Sequence, residues 1–321
     1  MTPPMNLLIL GGTGFVGSAL VERLVAQGGG AGGRIVVPSR RPQRAAHLRT
    51  LPTVEVVGAD VHDEIQLLRL VAGCDAVVNL VAILHGRAAD FERTHVALPK
   101  ALARACASTG VRRVLHVSAL GVAADAPSHY LRSKAAGEAA LRAADLDLTI
   151  LRPSVIFGAR DRFLNLFARL QALAPLVPLA GAASTYQPVW VEDVAEALLR
   201  CLRDPATIGK TYECAGPRVL TLAELVRLAG RCSGHERPVI PVPEAIGRLQ
   251  AALMALAPGE PLMSADNLDS MKLPNVASGT LPGLDALGIA PAALEAVAPG
   301  YLGPSRAETR LEAWRALARR R

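Results

Sequence analysis

Apolar positions along this chain fall into two alternating periods. Asn6-Leu-Leu-Ile-Leu is a short continuous apolar run, followed from about Phe15 to Gln27 by a stretch of helical period. Such a run, bounded by turn residues, predicts a strand buried on both faces, and the stretch after it predicts a helix; together they open a βαβ unit. Gly28 to Gly33 ends that helix, and Arg34-Ile-Val-Val-Pro supplies the second strand. Further strands are expected at Val54 to Gly58, Ala76 to Val81, Val114 to Ser118 and Leu148 to Leu151, with helix-like segments between them. Parallel neighbours need a crossover, so this alternation predicts an α/β fold, a Rossmann-type doubly wound parallel sheet over residues 1–155.

After Pro153 the rhythm becomes irregular, with prolines around Pro175 and Pro178 and again from Pro238 to Pro243. Residues 156–304 therefore read as a smaller C-terminal substrate lobe with interleaved returns to the Rossmann domain. Within it Val189 to Arg203 and Leu222 to Cys232 are helical in period, and Thr211 to Cys214 is one more strand. Pro258 to Pro304 is rich in Pro and Gly and reads as an extended wrapping segment, and residues 305–321 as a basic C-terminal helix. There is no internal repeat.

Composition sharpens this picture in three ways. Of 321 residues 51% are hydrophobic but only 3% aromatic, so the core must be built from Leu, Val, Ile and Ala, which suits strands buried between helices. Lys and Arg outnumber acids by 35 to 28, and the net +7 invites anionic partners such as nucleotides or acidic membrane surfaces. Nucleic acid is set aside because the arginines are dispersed and aromatics are too few for a stacking platform. Cys74, Cys106, Cys201, Cys214 and Cys232 form no C-x-x-C pair and have no histidines at metal-ligand spacing, so no metal site is expected and they read as small buried hydrophobes in a reducing compartment. The start lacks a basic region followed by a long apolar run, and nowhere do roughly 18 uninterrupted apolar residues occur. The expected location is cytoplasmic. A position peripheral to the inner membrane stays open through the basic end, where Arg306, Arg310, Arg315 and Arg319 to Arg321 around Leu311, Trp314 and Leu317 could rest on anionic lipid or a partner subunit.

The strongest chemical signal is Gly11-Gly12-Thr13-Gly14-Phe15-Val16-Gly17, placed where the first strand ends and the first helix begins. Backbone N–H groups at a helix N-terminus carry partial positive charge, and glycines let a pyrophosphate approach without interference from Cβ. The alternative is a glycine-rich turn with no ligand. At the end of the second strand stands Ser39-Arg40-Arg41, where an NAD site usually carries an acid. Arginine can pair with a 2′-phosphate, so NADP(H) is the preferred cofactor and NAD(H) stays open. Asp60-Val61, after the third strand, is positioned to meet the adenine amino group; the other reading of Asp60 is a helix N-cap for the segment beginning near Asp63.

With these features the chain resembles the short-chain dehydrogenase/reductase superfamily, whose further hallmark, Tyr-x-x-x-Lys, reads here Tyr130-Leu-Arg-Ser-Lys134, preceded by Ser118. The resemblance implies catalytic roles: Tyr130 relays a proton to the substrate oxygen, Lys134 lowers the phenol pKa and holds the nicotinamide ribose, and Ser118 orients the oxygen. It also implies that Asn79, Leu80, Val81 and Ala82 pass beneath the adenosine ribose and pyrophosphate. Backbone groups of Pro153, Ser154, Val155 and Ile156 would then meet the nicotinamide carboxamide. Val191-Glu192-Asp193-Val194-Ala195 resembles the lobe-entry motif of the extended and atypical, NAD-dependent epimerase/dehydratase-like members, in which the acid usually caps a helix.

The resemblance narrows at Tyr130-Leu-Arg-Ser-Lys-Ala-Ala-Gly-Glu138, Ile156-Phe-Gly-Ala-Arg-Asp-Arg-Phe-Leu-Asn165 and Gln187-Pro-Val-Trp-Val-Glu-Asp-Val-Ala195. These are similar to the branch that holds the nucleotide-binding accessory subunit of mitochondrial respiratory complex I and its bacterial relatives. Three functions follow as expectations. The first is an NADP(H)-dependent oxidoreductase on a hydrophobic carbonyl or quinone-like substrate, since only Asp161, Arg162, Asn165 and Gln187 bring obvious polarity to an apolar lobe. The second, which the resemblance implies, is a noncatalytic NADPH-binding accessory or sensor protein of the complex I accessory-subunit type, in contact with the membrane surface or a respiratory complex. The third, a sugar-nucleotide epimerase or dehydratase, is disfavoured by Arg40 and Arg41.

Overall fold

The computed structural model describes residues 5–28, 33–255 and 263–303. Its centre is a seven-stranded sheet built from β1 (Leu7–Leu10), β2 (Ile35–Ser39), β3 (Val54–Gly58), β4 (Ala76–Asn79), β5 (Arg113–Val117), β6 (Asp147–Pro153) and, much later in the chain, β11 (Thr211–Cys214). The order across the sheet is β11-β6-β5-β4-β1-β2-β3, and every pairing is parallel. Strand β1 shows why the sheet is covered on both sides. Leu7 and Ile9 enter one core with helix α1 (Phe15–Gly28), while Leu8 and Leu10 enter the opposite core with α3 (Glu64–Val71) and α5 (Leu98–Thr109). None of these four side chains is more than 4% exposed. Each such burial stabilises the fold by about 1.5–3 kcal/mol, so a run without polar alternation belongs here.

Short helix α2 (Ala46–Arg49) follows β2, and α4 (Ala88–Phe91) leads through a π-helical stretch, Glu92–Ala97, into α5. The expected strand Ala76 to Val81 stops at Asn79. There the side chain turns back, with Oδ1 accepting from Val81 N–H at 3.2 Å, so the following loop peels away from the sheet. Helix α6 (His129–Arg142) then carries the tyrosine and lysine across the face of β5 and β6.

The second half holds β7 (Ile156–Phe157), α7 (Leu164–Leu173), β8 (Val177–Ala180), β9 (Thr185–Tyr186), β10 (Val189–Trp190), α8 (Val191–Arg203), β12 (Leu220–Thr221), α9 (Leu222–Ser233), β13 (Val239–Val242) and α10 (Glu244–Ala255). Helix α8 packs on α1, where Glu196 and Glu192 meet Arg23 at 2.9 and 3.5 Å. Asp193 does not cap its own helix. It is buried, and its Oδ2 accepts from Ala292 N–H at 2.8 Å, so the acid fastens the C-terminal segment instead. That segment contains α11 (Ala265–Ser270), α12 (Leu294–Val297) and α13 (Pro299–Leu302), more structure than the extended wrapping expected from its prolines and glycines. Helices α7 and α9 pack together with α13, and β8 pairs with β13. Cys106, Cys201 and Cys214 are buried, and burial pushes their thiols up; all five cysteines are free. No helix among the described residues is long and apolar enough to cross a membrane. The basic C-terminal segment 305–321 lies outside the described residues.

Candidate nucleotide and proton-transfer site

The turn between β1 and α1 is closed by Gly12 N–H to Ile9 O (3.2 Å) and Gly14 N–H to Gly11 O (2.9 Å). Gly11 has φ +80°, and a Cβ there would lie 3.1 Å from the Leu80 carbonyl carbon. At Gly17 a Cβ would lie 2.4 Å from Gly11 O and 2.5 Å from Gly12 Cα. Glycine is therefore demanded by backbone packing on backbone, with Gly11 set against Leu80 and Val81 of the loop after β4 and Gly17 against the turn itself. First-turn N–H groups have no intrahelical acceptor and form a cradle for an anion. A diphosphate fits this cradle.

At the ends of β2 and β3, Ser39 Oγ accepts from Arg41 N–H at 3.2 Å, while the side chains of Arg40 and Arg41 are exposed. Asp60 does not cap α3. That role falls to Asp63, whose carboxylate accepts from Ile65 and Gln66 N–H. Asp60 instead accepts from His62 N–H at 3.1 Å and stands 3.7 Å from Arg93, beside Val61. Burial lowers the His62 pKa, helped by Arg93 and Arg40 and opposed by Asp60. Arg93 was not foreseen. It sits on the π-helical stretch, where it pairs with Asp60 and, like Arg40, acts on His62, a juxtaposition for which the sequence carries no local signal.

Tyr130 and Lys134 lie one turn apart on α6. Phe91 and His95 stack edge-on against the phenol ring at 6.2 and 5.5 Å, and Ala119, Val122, Ala126, Leu131 and Leu273 complete an apolar surround. Burial pushes the Tyr130 phenol up to about 12. Lys134 is 2% exposed, and its Nζ donates to Val117 O at 2.7 Å. Burial pushes its pKa down to about 8, against the pull of Glu138. Burial likewise works to raise Glu138, but a two-pronged bond from Arg152 (2.9 and 2.6 Å) and one from Arg142 (2.6 Å) prevail and hold it below the usual range. The motif around Tyr130 assigns Glu138 no role, although its i, i+4 spacing from Lys134 places the two on one helix face. The Ser118 hydroxyl is sealed inside this cluster. It lies close enough to steady the Glu138 charge, but not in hydrogen-bond geometry, and its Oγ has no partner among the described residues.

His95, also unforeseen, is 2% exposed. Ile83 N–H donates to its Nε2 at 3.1 Å, so the proton sits on Nδ1, which donates to Ser133 Oγ at 2.9 Å; Ser133 in turn donates to Tyr130 O. Burial, with the nearby Lys134 and His116, lowers the His95 pKa to about 2. A neutral ring thus ties the loop after β4 to the tyrosine helix.

Beyond β6, Pro153 O accepts from Leu120 N–H, Ser154 Oγ donates to Asn275, and Val155 N–H donates to Asn275 Oδ1 at 2.9 Å. Ile156 pairs with Val189. In the lobe, Asp161 accepts from Gly158, Phe163 and Asn165 N–H and from Tyr301 OH, while Asn165 donates to three backbone carbonyls. Gln187 bridges Gly216 O and Ala277 N–H. Asp161, Asn165 and Gln187 are therefore engaged in holding the protein itself together, and Arg162 is not without a partner either.

A model described as the NAD dependent epimerase/dehydratase family matches residues 7–215. Over 294 residues, 89% of this chain and 77% of its relative, the chain is 34% identical to NADH dehydrogenase (ubiquinone) 1 alpha subcomplex subunit 9, mitochondrial, of Mus musculus. It is 33% identical to the ceramide reductase of Caulobacter vibrioides, covering 74% of this chain and 73% of that one. Among solved structures, dTDP-glucose 4,6-dehydratase from Streptomyces venezuelae with NAD bound superposes with TM-score 0.65 at 26% identity, covering 74% and 84% of the two chains. A nucleoside-diphosphate-sugar epimerase from Staphylococcus aureus, at 18% identity and TM-score 0.73 over 92% and 100%, shares the fold.

Proposed function

The chain belongs to the NAD dependent epimerase/dehydratase family, and from that premise we propose that it is an NADP(H)-dependent oxidoreductase that reduces a hydrophobic carbonyl or quinone-like substrate. The observation that carries the reading is the apolar surround of the Tyr130 phenol, together with the engagement of Asp161, Asn165 and Gln187 in internal bonds. A sugar nucleotide needs several free polar partners, whereas an aliphatic or quinone-like carbonyl needs one proton donor in an apolar slot. The likeness to a ceramide reductase and to a complex I subunit supports a lipid-like substrate.

The cradle Gly11 to Gly17 would hold the diphosphate, Arg40 and Arg41 would meet the 2′-phosphate, and Asp60 would meet the adenine. The bound nicotinamide supplies the hydride. Contrary to the expectation that Lys134 lowers it, the Tyr130 phenol is pushed up to about 12 by burial, so it keeps its proton at neutral pH and gives it up only as charge develops on the carbonyl oxygen. One of the three Lys134 N–H groups serves Val117 O, which leaves two to hold a ribose hydroxyl and to steady the developing tyrosinate. A second reading, an NADPH-holding module without turnover, is favoured by one feature: the Ser118 hydroxyl is sealed away from any substrate. Incubating the protein with NADPH and a panel of long-chain ketones and quinones separates the two. Oxidation that falls about 10²–10⁴-fold in Tyr130→Phe supports the reductase; tight binding without oxidation of any member supports the module.

A further inference from the structure

The first turn of α6, which holds Tyr130, can be accounted for donor by donor. A helix leaves its first N–H groups without intrahelical acceptors. Ser128, the residue before the helix, takes the Leu131 N–H on its Oγ at 3.2 Å, and Arg132 N–H reaches Ser128 O at 3.2 Å. The two remaining donors go to a single carboxylate from the far side of the cleft. Asp266 Oδ1 accepts from His129 N–H at 2.6 Å, and Asp266 Oδ2 from Tyr130 N–H at 3.0 Å. A negative charge at a helix N-terminus is also favoured by the helix dipole.

Asp266 is itself held in place. It lies on α11, whose capping box joins Ser264 and Asn267, and Asn267 Nδ2 reaches Leu84 O at 3.3 Å. Nine residues on from Asp266, Asn275 is bonded to Ser154 and to Val155 N–H, and between them Leu273 packs in the apolar surround of the phenol. Residues 264–275 thus run from Tyr130 to Val155. Both ends are bonded to the Rossmann half, and the Asn275 end is bonded to Thr185 and Gln187 of the lobe as well.

We propose that Asp266 is a positioning residue for Tyr130, and that residues 264–275 are a strap through which the lobe sets the phenol for proton transfer. The proposal rests on Tyr130 being the proton donor. The strap also packs Leu273 on the same apolar cluster that Tyr130 packs on, so seating the strap and closing that cluster go together. Removing the carboxylate leaves two first-turn donors without their acceptor and lets the tyrosine helix fray at the residue that matters.

The test uses the full chain carrying Asp266→Ala and Asp266→Asn. In Asp266→Ala, amide hydrogen exchange at His129 and Tyr130 is expected to rise about tenfold or more, while NADPH affinity, set at the opposite end of the cleft, changes less than about twofold. The ionisation of Tyr130, read as the tyrosinate absorbance lost in a Tyr130→Phe background, is expected to shift as its surround opens. With a substrate in hand, kcat falls by about tenfold and Asp266→Asn recovers part of it, because an amide oxygen still accepts one N–H. Should Asp266→Ala not fold, the same measurements on Asp266→Asn decide. Unchanged exchange at both amides, or raised exchange with unchanged phenol ionisation, overturns the proposal. Absence of turnover in the unsubstituted protein would instead sink the reductase reading, and the exchange and ionisation results would stand apart from it.

Discussion

Replacing Lys134 with methionine is expected to leave the fold as stable at neutral pH as before, or more so, although the side chain is buried at the heart of the site. Burial lowers the lysine from its ordinary 10.5 to about 8, with Glu138 opposing, which corresponds to about 3 kcal/mol against the charged form at pH 7. Methionine has similar length and no charge, but it strands the Val117 carbonyl that Nζ now serves, at about 1–3 kcal/mol. The difference lies between zero and about 2 kcal/mol in favour of the variant. The pH dependence has a definite sign. Between about 8 and 10.5 the folded chain has released this proton while the unfolded chain still holds it, so unfolding free energy rises with pH across that window. Urea unfolding of both proteins at pH 7 and pH 10 measures it, and groups common to both cancel in the comparison. A variant more than about 3 kcal/mol less stable at pH 7, or one that keeps the full rise to pH 10, would refute the assignment of a penalised, buried cation.

Other expectations follow from the same geometry. Gly17→Ala drives a Cβ into Gly11 O and Gly12 Cα, so the turn must open; dinucleotide affinity by fluorescence titration should fall about tenfold to hundredfold, in line with about 1–3 kcal/mol of overpacking. Gly28→Ala at the end of the same helix meets no atom within 4 Å and should stabilise the protein by about 0.4–1 kcal/mol in thermal unfolding without touching affinity. Glu138→Ala leaves Arg152 beside Lys134 with only the nearby Glu213 as counter-charge and should destabilise by about 3 kcal/mol in urea titration. The depressed Glu138 carboxyl contributes stability that is present above the ordinary carboxyl range and lost as pH falls through its lowered value, so acid unfolding of Glu138→Gln should lack that component.

Much of the nucleotide half was readable from local pattern. Strand β1 announces itself because both its faces are buried, and the Gly11 to Gly17 turn because backbone packs on backbone there. The spacing of Tyr130 and Lys134 fixes their shared face once the helix is recognised. What escaped depends on contacts distant in sequence. Asp266 reaches Tyr130 across 136 positions and Asn275 reaches Ser154 across 121, and neither residue lies in a pattern that betrays its partner. The cap of α3 fell to Asp63 rather than Asp60 because the chain makes one more turn before the helix, a boundary that periodicity resolves poorly. The polar lobe residues looked like substrate contacts because composition cannot tell a free carboxamide from one already bridging Gly216 and Ala277, as Gln187 is.

The proposed reductase requires a nucleotide held by the β1–α1 cradle with its 2′-phosphate beside Arg40 and Arg41. Fluorescence titration of the purified chain with NADPH and with NADH, repeated on a variant carrying Arg40→Ala and Arg41→Ala, tests this directly. The expected result is NADPH bound at least about tenfold more tightly than NADH, with the preference lost in the double variant, as befits one or two charge-assisted bonds. Equal affinity for both nucleotides would contradict the role of the arginines, and failure to bind either would contradict the account at its root.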